Sequence, residues 1–155
     1  MARTPSTSPT SAATCAAIAD TGALVALLDR GERHHGWAAE RVREMEVPLL
    51  ICEPVLTETM HLLARLPRAQ DELFRLLENG ALNIAFRIED HVSAVRGLHQ
   101  KYRSKPMSLA DACIVRMAEL HDRHAVFTLD SDFFVYRKHG REPLALIHPL
   151  KAIRR

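Results

Sequence analysis

No apolar run in the 155-residue chain reaches the ~18 residues that a membrane-spanning helix needs. No C-x-x-C pair is present either. Cys15, Cys52 and Cys113 stand far apart and are odd in number. That spacing argues against a disulfide framework or a zinc ribbon, and for reduced thiols in a cytoplasmic protein. Charge of one sign is not in excess: 21 Lys and Arg face 19 Asp and Glu, for a net +2. A polyanion-binding surface is therefore permitted but not demanded. A glycine-rich phosphate loop is missing, and no Ser or Cys sits in a motif that pairs it with His. The 9 histidines include "HH" at 34–35 and "HDRH" at 121–124, but neither has zinc-finger or H-E-x-x-H spacing. The opening "MARTPSTSPTSAAT" lacks the apolar core of a secretory signal. No internal repeat and no long linker divides the chain, whose length suits one domain.

The apolar fraction of 47% is ordinary for a globular core. Residues 1–14 read as a disordered tail rich in Ser, Thr, Ala and Pro. Residues 15–150 read as the folded domain, and 151–155 as a short basic tail. Five short apolar runs, "CAAIA", "VPLLIC", "LNIAF", "AVFTL" and "LALIH", have the length and composition of buried strands. Helical patterns separate them. "GALVALLDRG" starts at a possible Thr21 cap and closes at Gly31. "HHGWAAERVREME" follows. A helix from Glu53 to about Leu66 has Pro54 in its first turn and stops at Pro67. "RAQDELFRLLENG" ends at Gly80, and "EDHVSAVRGLHQKYRS" precedes "SLADACIVRMAELHD", which Ser108 caps. "DSDFFVYRKHG" reads as a short helix or turn. The alternation predicts an α/β fold: one mostly parallel sheet of about five short strands, with helices on both faces.

Ligands of open α/β sheets bind beyond the carboxyl ends of the strands. Asp20 follows the first strand, and Asp130 and Asp132 follow the fourth. Asp111 opens the helix before that strand, and Glu58 lies one turn into the helix after the second. Each has a plain alternative as a helix cap, and Ser108 with Asp111 resembles a capping box. Glu58 and Asp111 fit that alternative less well. Glu58 has Val55 and Leu62 as helical neighbours, and Asp111 has Ile114, Val115 and Ala118. Carboxylates beside a core are costly unless paired or bound to a cation. Clustered, they repel one another and raise a pKa until a counter-ion arrives. Mg²⁺ or Mn²⁺, hard cations that favour oxygen, suit such a set, and such a site suits phosphodiester hydrolysis by an activated water.

Four segments, "ADTGALVALLDRGERHH", "EPVLTETMHLL", "SLADACIVRMAE" and "FTLDSDFF", in this order and spacing, resemble a PIN domain of the VapC toxin type over about residues 16–148. The resemblance implies a Mg²⁺- or Mn²⁺-dependent endoribonuclease, paired with a VapB-type antitoxin and forming a homodimer. It matches Asp20, Glu58 and Asp111 to the family's first three acids and leaves the fourth between Asp130, favoured as closer to the strand end, and Asp132 as a second contributor. It implies that Asp20, Asp111 and Asp130 or Asp132 hold the metal, and that Glu58 handles the attacking water. Thr21 matches a small hydroxyl residue beside the first acid, and Glu53 reads as a cap or supporting residue.

Two basic segments with aromatic residues, "RGERHHGW" and "QKYRSKP", are expected near the acidic end, with Arg33, Lys101, Arg103 and Lys105 as phosphate contacts. "VYRKHGR" is a third such segment. "DSD" has the form of a phosphatase D-x-D but stands late in the chain, with Phe134 where Thr or Val belongs. The helix pair around Pro67 offers a groove for an antitoxin helix. Two other functions remain open: a PIN-fold nuclease acting on DNA or in RNA processing, and a catalytically silent binding module.

Overall fold

A computed structural model describes residues 14–153. The expected tails at 1–14 and 151–155 fall mostly outside those residues. Within them, residues 149–153 form a 3₁₀ turn.

The main sheet has five parallel strands: β1 (Ala17–Ala19), β2 (Leu49–Ile51), β3 (Leu82–Ile84), β4 (Ala125–Phe127) and β7 (Leu146–Ile147), in the order β3-β2-β1-β4-β7. Six helices accompany it: α1 (Thr21–Leu28), α2 (His35–Val42), α3 (Glu53–Leu62), α4 (Pro67–Glu78), α5 (Val92–Lys101) and α6 (Leu109–Leu120). This is the expected single α/β domain. A small antiparallel hairpin, β5 (Arg137–Lys138) with β6 (Glu142–Pro143), stands apart from the main sheet.

Two legs of chain build the sheet. The first runs outward from β1 through β2 to β3. The second returns through α5 and α6 to β4, on the other side of β1. Right-handed crossovers travelling in opposite directions place their helices on opposite faces. β1, β2 and β4 are buried along their full length, as strands covered on both faces must be. Ile18, Val126 and Phe127 are fully buried in the core, and Trp37 packs against Phe127 with ring centroids 5.5 Å apart.

Several boundaries differ from the sequence expectation. α1 is capped by Asp20, whose side chain accepts from the Thr21 backbone, rather than by Thr21. It ends at Leu28, because the Asp29 side chain accepts from Gly31 N and turns the chain before the glycine is reached. α3 ends at Leu62 rather than Leu66. Pro67 then opens α4 at its first position, where a missing N–H costs nothing. Gly80 does follow α4, with a φ of 80° that suits glycine in the left-handed region.

Candidate active site

β1 and β4 are neighbours, and the chain reverses its course across the sheet between them. Such a switch point opens a crevice at the carboxyl ends of the strands. Asp20 leaves β1 and Asp130 lies three residues past the end of β4. The Asp20 N–H still donates to Phe127 O at 2.9 Å, so the two strand ends are tied together. The second turn of α3 and the first turn of α6 complete the crevice. A cleft of about 440 Å³ results, lined by Asp20, Thr21, Glu58, Ser108, Asp111 and Asp130 among others.

Hydrogen bonds fix each carboxylate. Asp20 is buried, with Oδ1 accepting from Thr21 N at 2.8 Å and Oδ2 from the Thr128 hydroxyl at 2.7 Å. Glu58 Oε2 accepts from the Thr21 hydroxyl at 2.8 Å. Asp111 Oδ2 accepts from Ser108 N at 3.0 Å and, more weakly, from the Tyr136 hydroxyl at 3.4 Å. Asp130 Oδ1 accepts from Asp132 N at 2.8 Å. Glu58, Asp111 and Asp130 therefore each keep one oxygen without a hydrogen-bond partner among the described residues.

The plain alternative raised by the sequence is also realised. Asp20 and Asp130 are caps, and Ser108 with Asp111 forms a full capping box. Capping occupies one oxygen of Asp111 and one of Asp130, and leaves the other. At these positions the capping bonds orient the acid rather than use it up.

Burial pushes the Asp20 carboxyl up to about 7, and the nearby charges of Asp111 and Asp130 add to the rise. The bonds from Thr128 and Thr21 oppose it. Asp111 is raised for the same leading reason, with Asp130 and Glu58 contributing. Two carboxyls that resist ionisation in this way mark a place short of positive charge. The donors are all oxygens, which fits a hard divalent cation. Among the described residues, no three His, Cys, Asp or Glu side chains converge as a ready-made metal site.

Other expected residues fall in different places. Asp132 does not line the cleft; its carboxylate lies 3.9 Å from Lys105 Nζ, and its N–H holds Asp130. Lys105 is therefore a cation beside the acidic rim. Arg103 is exposed on the same loop, whereas Lys101 is occupied by a 2.8 Å bond to Gly140 O. Arg33 is at the far end of α1, ~12 Å of helix from Thr21. Its guanidinium meets only the adjacent His34 ring among the described residues, so the first basic segment is not beside the acids. Glu53 is exposed at the start of α3 and is not among the residues lining the cleft.

Three residues that touch the acids carried no site role in the sequence reading. Thr128 is fully buried and bridges Asp20 to Asp130. Tyr136 is fully buried below Asp111. Ser108 was recognised as a cap but not as part of the cleft. A hydroxyl two residues before an acid at a strand end was the available sign of Thr128. Nothing local marked Tyr136.

No curated protein matches the chain. A family model does: the PIN domain, over residues 17–138. That span contains every residue of the cleft described above. PIN domains are generally metal-dependent nucleases, and the match covers most of the chain: this protein belongs to the PIN-domain family.

Proposed function

We propose that the protein is a Mg²⁺- or Mn²⁺-dependent endoribonuclease and the toxin half of a type II toxin–antitoxin pair of the VapC kind. One observation carries the nuclease reading. Four carboxylates from four separate segments meet in one cleft at the switch point of the sheet, and three of them keep a free oxygen.

Asp20, Asp111 and Asp130 would hold the ion, with Asp132 acting through water or through Lys105. A divalent ion bound there would offset the crowding, orient the scissile phosphate and lower the pKa of a bound water. The chain's own residues do the rest. Glu58, locked by the Thr21 hydroxyl, offers Oε1 to take a proton from that water. The hydroxide oxygen adds to phosphorus and the P–O3′ bond breaks. The leaving 3′ oxygen takes a proton from solvent, giving a 5′-phosphate and a 3′-hydroxyl. Lys105, beside Asp132, and Arg103 on the same loop would meet neighbouring phosphates.

The partner reading has its own support. A groove of about 1200 Å³ lies between α1, α2 and α4, with Leu27, Leu28, Val42 and Leu76 among its lining residues. Arg30, Arg65 and Arg68 line it as well, and none of them has an ion pair among the described residues. This combination suits an amphipathic antitoxin segment with acidic residues. The homodimer rests on the family resemblance, and light scattering of the free protein tests it. All three cysteines are free, which fits a reducing cytoplasm.

The deciding experiment is cleavage of a cellular RNA pool and of matched DNA, with Mn²⁺, with chelator, and with Asp20→Asn as control. Metal-dependent cleavage of RNA alone supports the proposal. Cleavage of DNA moves the protein to another nuclease class. Mn²⁺-independent behaviour with no cleavage would make it a silent binding module.

A further inference from the structure

Thr128 is the first residue after β4 and is wholly buried. Its backbone N–H donates to Ile147 O at 3.1 Å, so neighbouring β7 holds it in place. Its hydroxyl makes two bonds of opposite sense: it accepts from Asp130 N at 2.9 Å and donates to Asp20 Oδ2 at 2.7 Å. The direction of each bond is fixed by chemistry. A backbone N–H can only donate, so the single hydroxyl proton is free to go to the carboxylate. The bond to Asp20 spans 108 positions of sequence.

We propose that Thr128 is a positioning residue that couples Asp20 to Asp130, setting their separation and thereby the affinity for the divalent ion. This rests on the metal-nuclease reading above. One hydroxyl fixes the acid that follows the first strand and the turn that carries the fourth acid. Because Thr128 is also tied to β7, the pair of acids is referenced to the sheet rather than to a mobile loop. The chemistry asks only for a hydroxyl at this point. Serine supplies it. Valine, similar in shape, leaves Asp20 Oδ2 and Asp130 N–H without their partner.

The test compares Thr128→Val and Thr128→Ser with wild type by Mn²⁺ calorimetry and by RNA cleavage, at a temperature where circular dichroism shows all three folded. Partners that orient metal ligands typically contribute ~10–100-fold in affinity or activity. Thr128→Val should therefore weaken Mn²⁺ binding by about that factor and lower kcat more than it raises KM for RNA. Thr128→Ser should restore both. If the valine variant does not fold, Thr128→Cys, whose thiol is a weak donor, carries the same comparison. Unchanged Mn²⁺ affinity without the hydroxyl, or a serine variant as impaired as the valine, overturns the inference alone. A wild-type protein that neither binds Mn²⁺ nor cleaves RNA overturns the inference together with the reading beneath it.

Discussion

The acidic cleft and the arginine-lined groove divide the molecule's chemistry between them. The groove is the larger, about 1200 Å³ against about 440 Å³. Yet its charged residues are mostly exposed, and its one close ion pair, Arg75 with Glu72, lies on the surface of a single helix. The cleft is small, but two of its acids are buried and all four are bonded to neighbours. Size alone would pick the groove as the active site. Burial and directed hydrogen bonds pick the cleft, because a carboxylate is kept out of water only where something holds it there. A chain whose net charge is only +2 thus separates its charges into an acidic crevice and a basic trough.

The sharpest way to break this contrast is to disable each region in turn. Asp20→Asn or Asp111→Asn should reduce metal-dependent RNA cleavage by more than ~100-fold, beyond what supporting partners usually contribute. The double variant Arg65→Glu, Arg68→Glu should leave cleavage within about twofold, as surface changes remote from chemistry do. A gel assay on one RNA substrate reads both. Equal losses would erase the distinction between cleft and groove.

A second test concerns pH in the presence of chelator. Asp20 has a folded pKa of about 7 against an ordinary aspartate value of 3.8. The folded state therefore binds a proton that the unfolded state has released between those pH values. Stability from this group is present below about pH 4 and is lost as the pH rises through about 7. The loss is at most about 4 kcal/mol. Asp111 acts in the same direction. Denaturant titrations of wild type and Asp20→Asn at pH 5 and pH 8 should show a steeper fall for wild type. At pH 8 without metal, Asp111→Asn should be as stable as wild type or more so, since the amide oxygen can still accept from Ser108 N.

Smaller effects refine the picture. Ser108→Ala should cost about 1 kcal/mol by removing the cap of α6 and should also weaken Mn²⁺ binding, because the same box orients Asp111. A stability loss with no change in Mn²⁺ affinity would reduce Ser108 to a cap only. Gly22→Ala, whose added carbon would sit 3.8 Å from the Leu129 side chain, should leave Mn²⁺ binding intact. Melting should show a gain of about 0.5–1 kcal/mol from the better helix former.

Legibility from sequence followed the reach of each interaction. The five strands of the sheet were visible because each lies in a short apolar run between helical patterns. Glu58 and Asp111 stood out because their helical neighbours are apolar, a relation confined to one turn. The hairpin was not visible, since Arg137–Lys138 and Glu142–Pro143 are polar pairs with no alternation to read. The end of α1 was misplaced because the Asp29 side chain, not the glycine after it, turns the chain. Thr128 and Tyr136 meet their acids across 108 and 25 residues, distances at which no periodicity operates. The first basic segment was expected beside the acids because it follows them closely in sequence, but a straight helix carries it away.

The hairpin has an effect beyond its size. Lys101 reaches its tip at Gly140 O, and the Tyr102 hydroxyl accepts from Arg137 N. The rings of Tyr102 and Tyr136 meet edge to face with centroids 5.0 Å apart. The approach to α6 and the exit from β4 are thereby clasped to each other outside the cleft. Asp111 and Asp130 ride on those two stretches, so the clasp acts as a brace against their mutual repulsion. Cutting it would let the two acids drift apart while the sheet beneath stays whole.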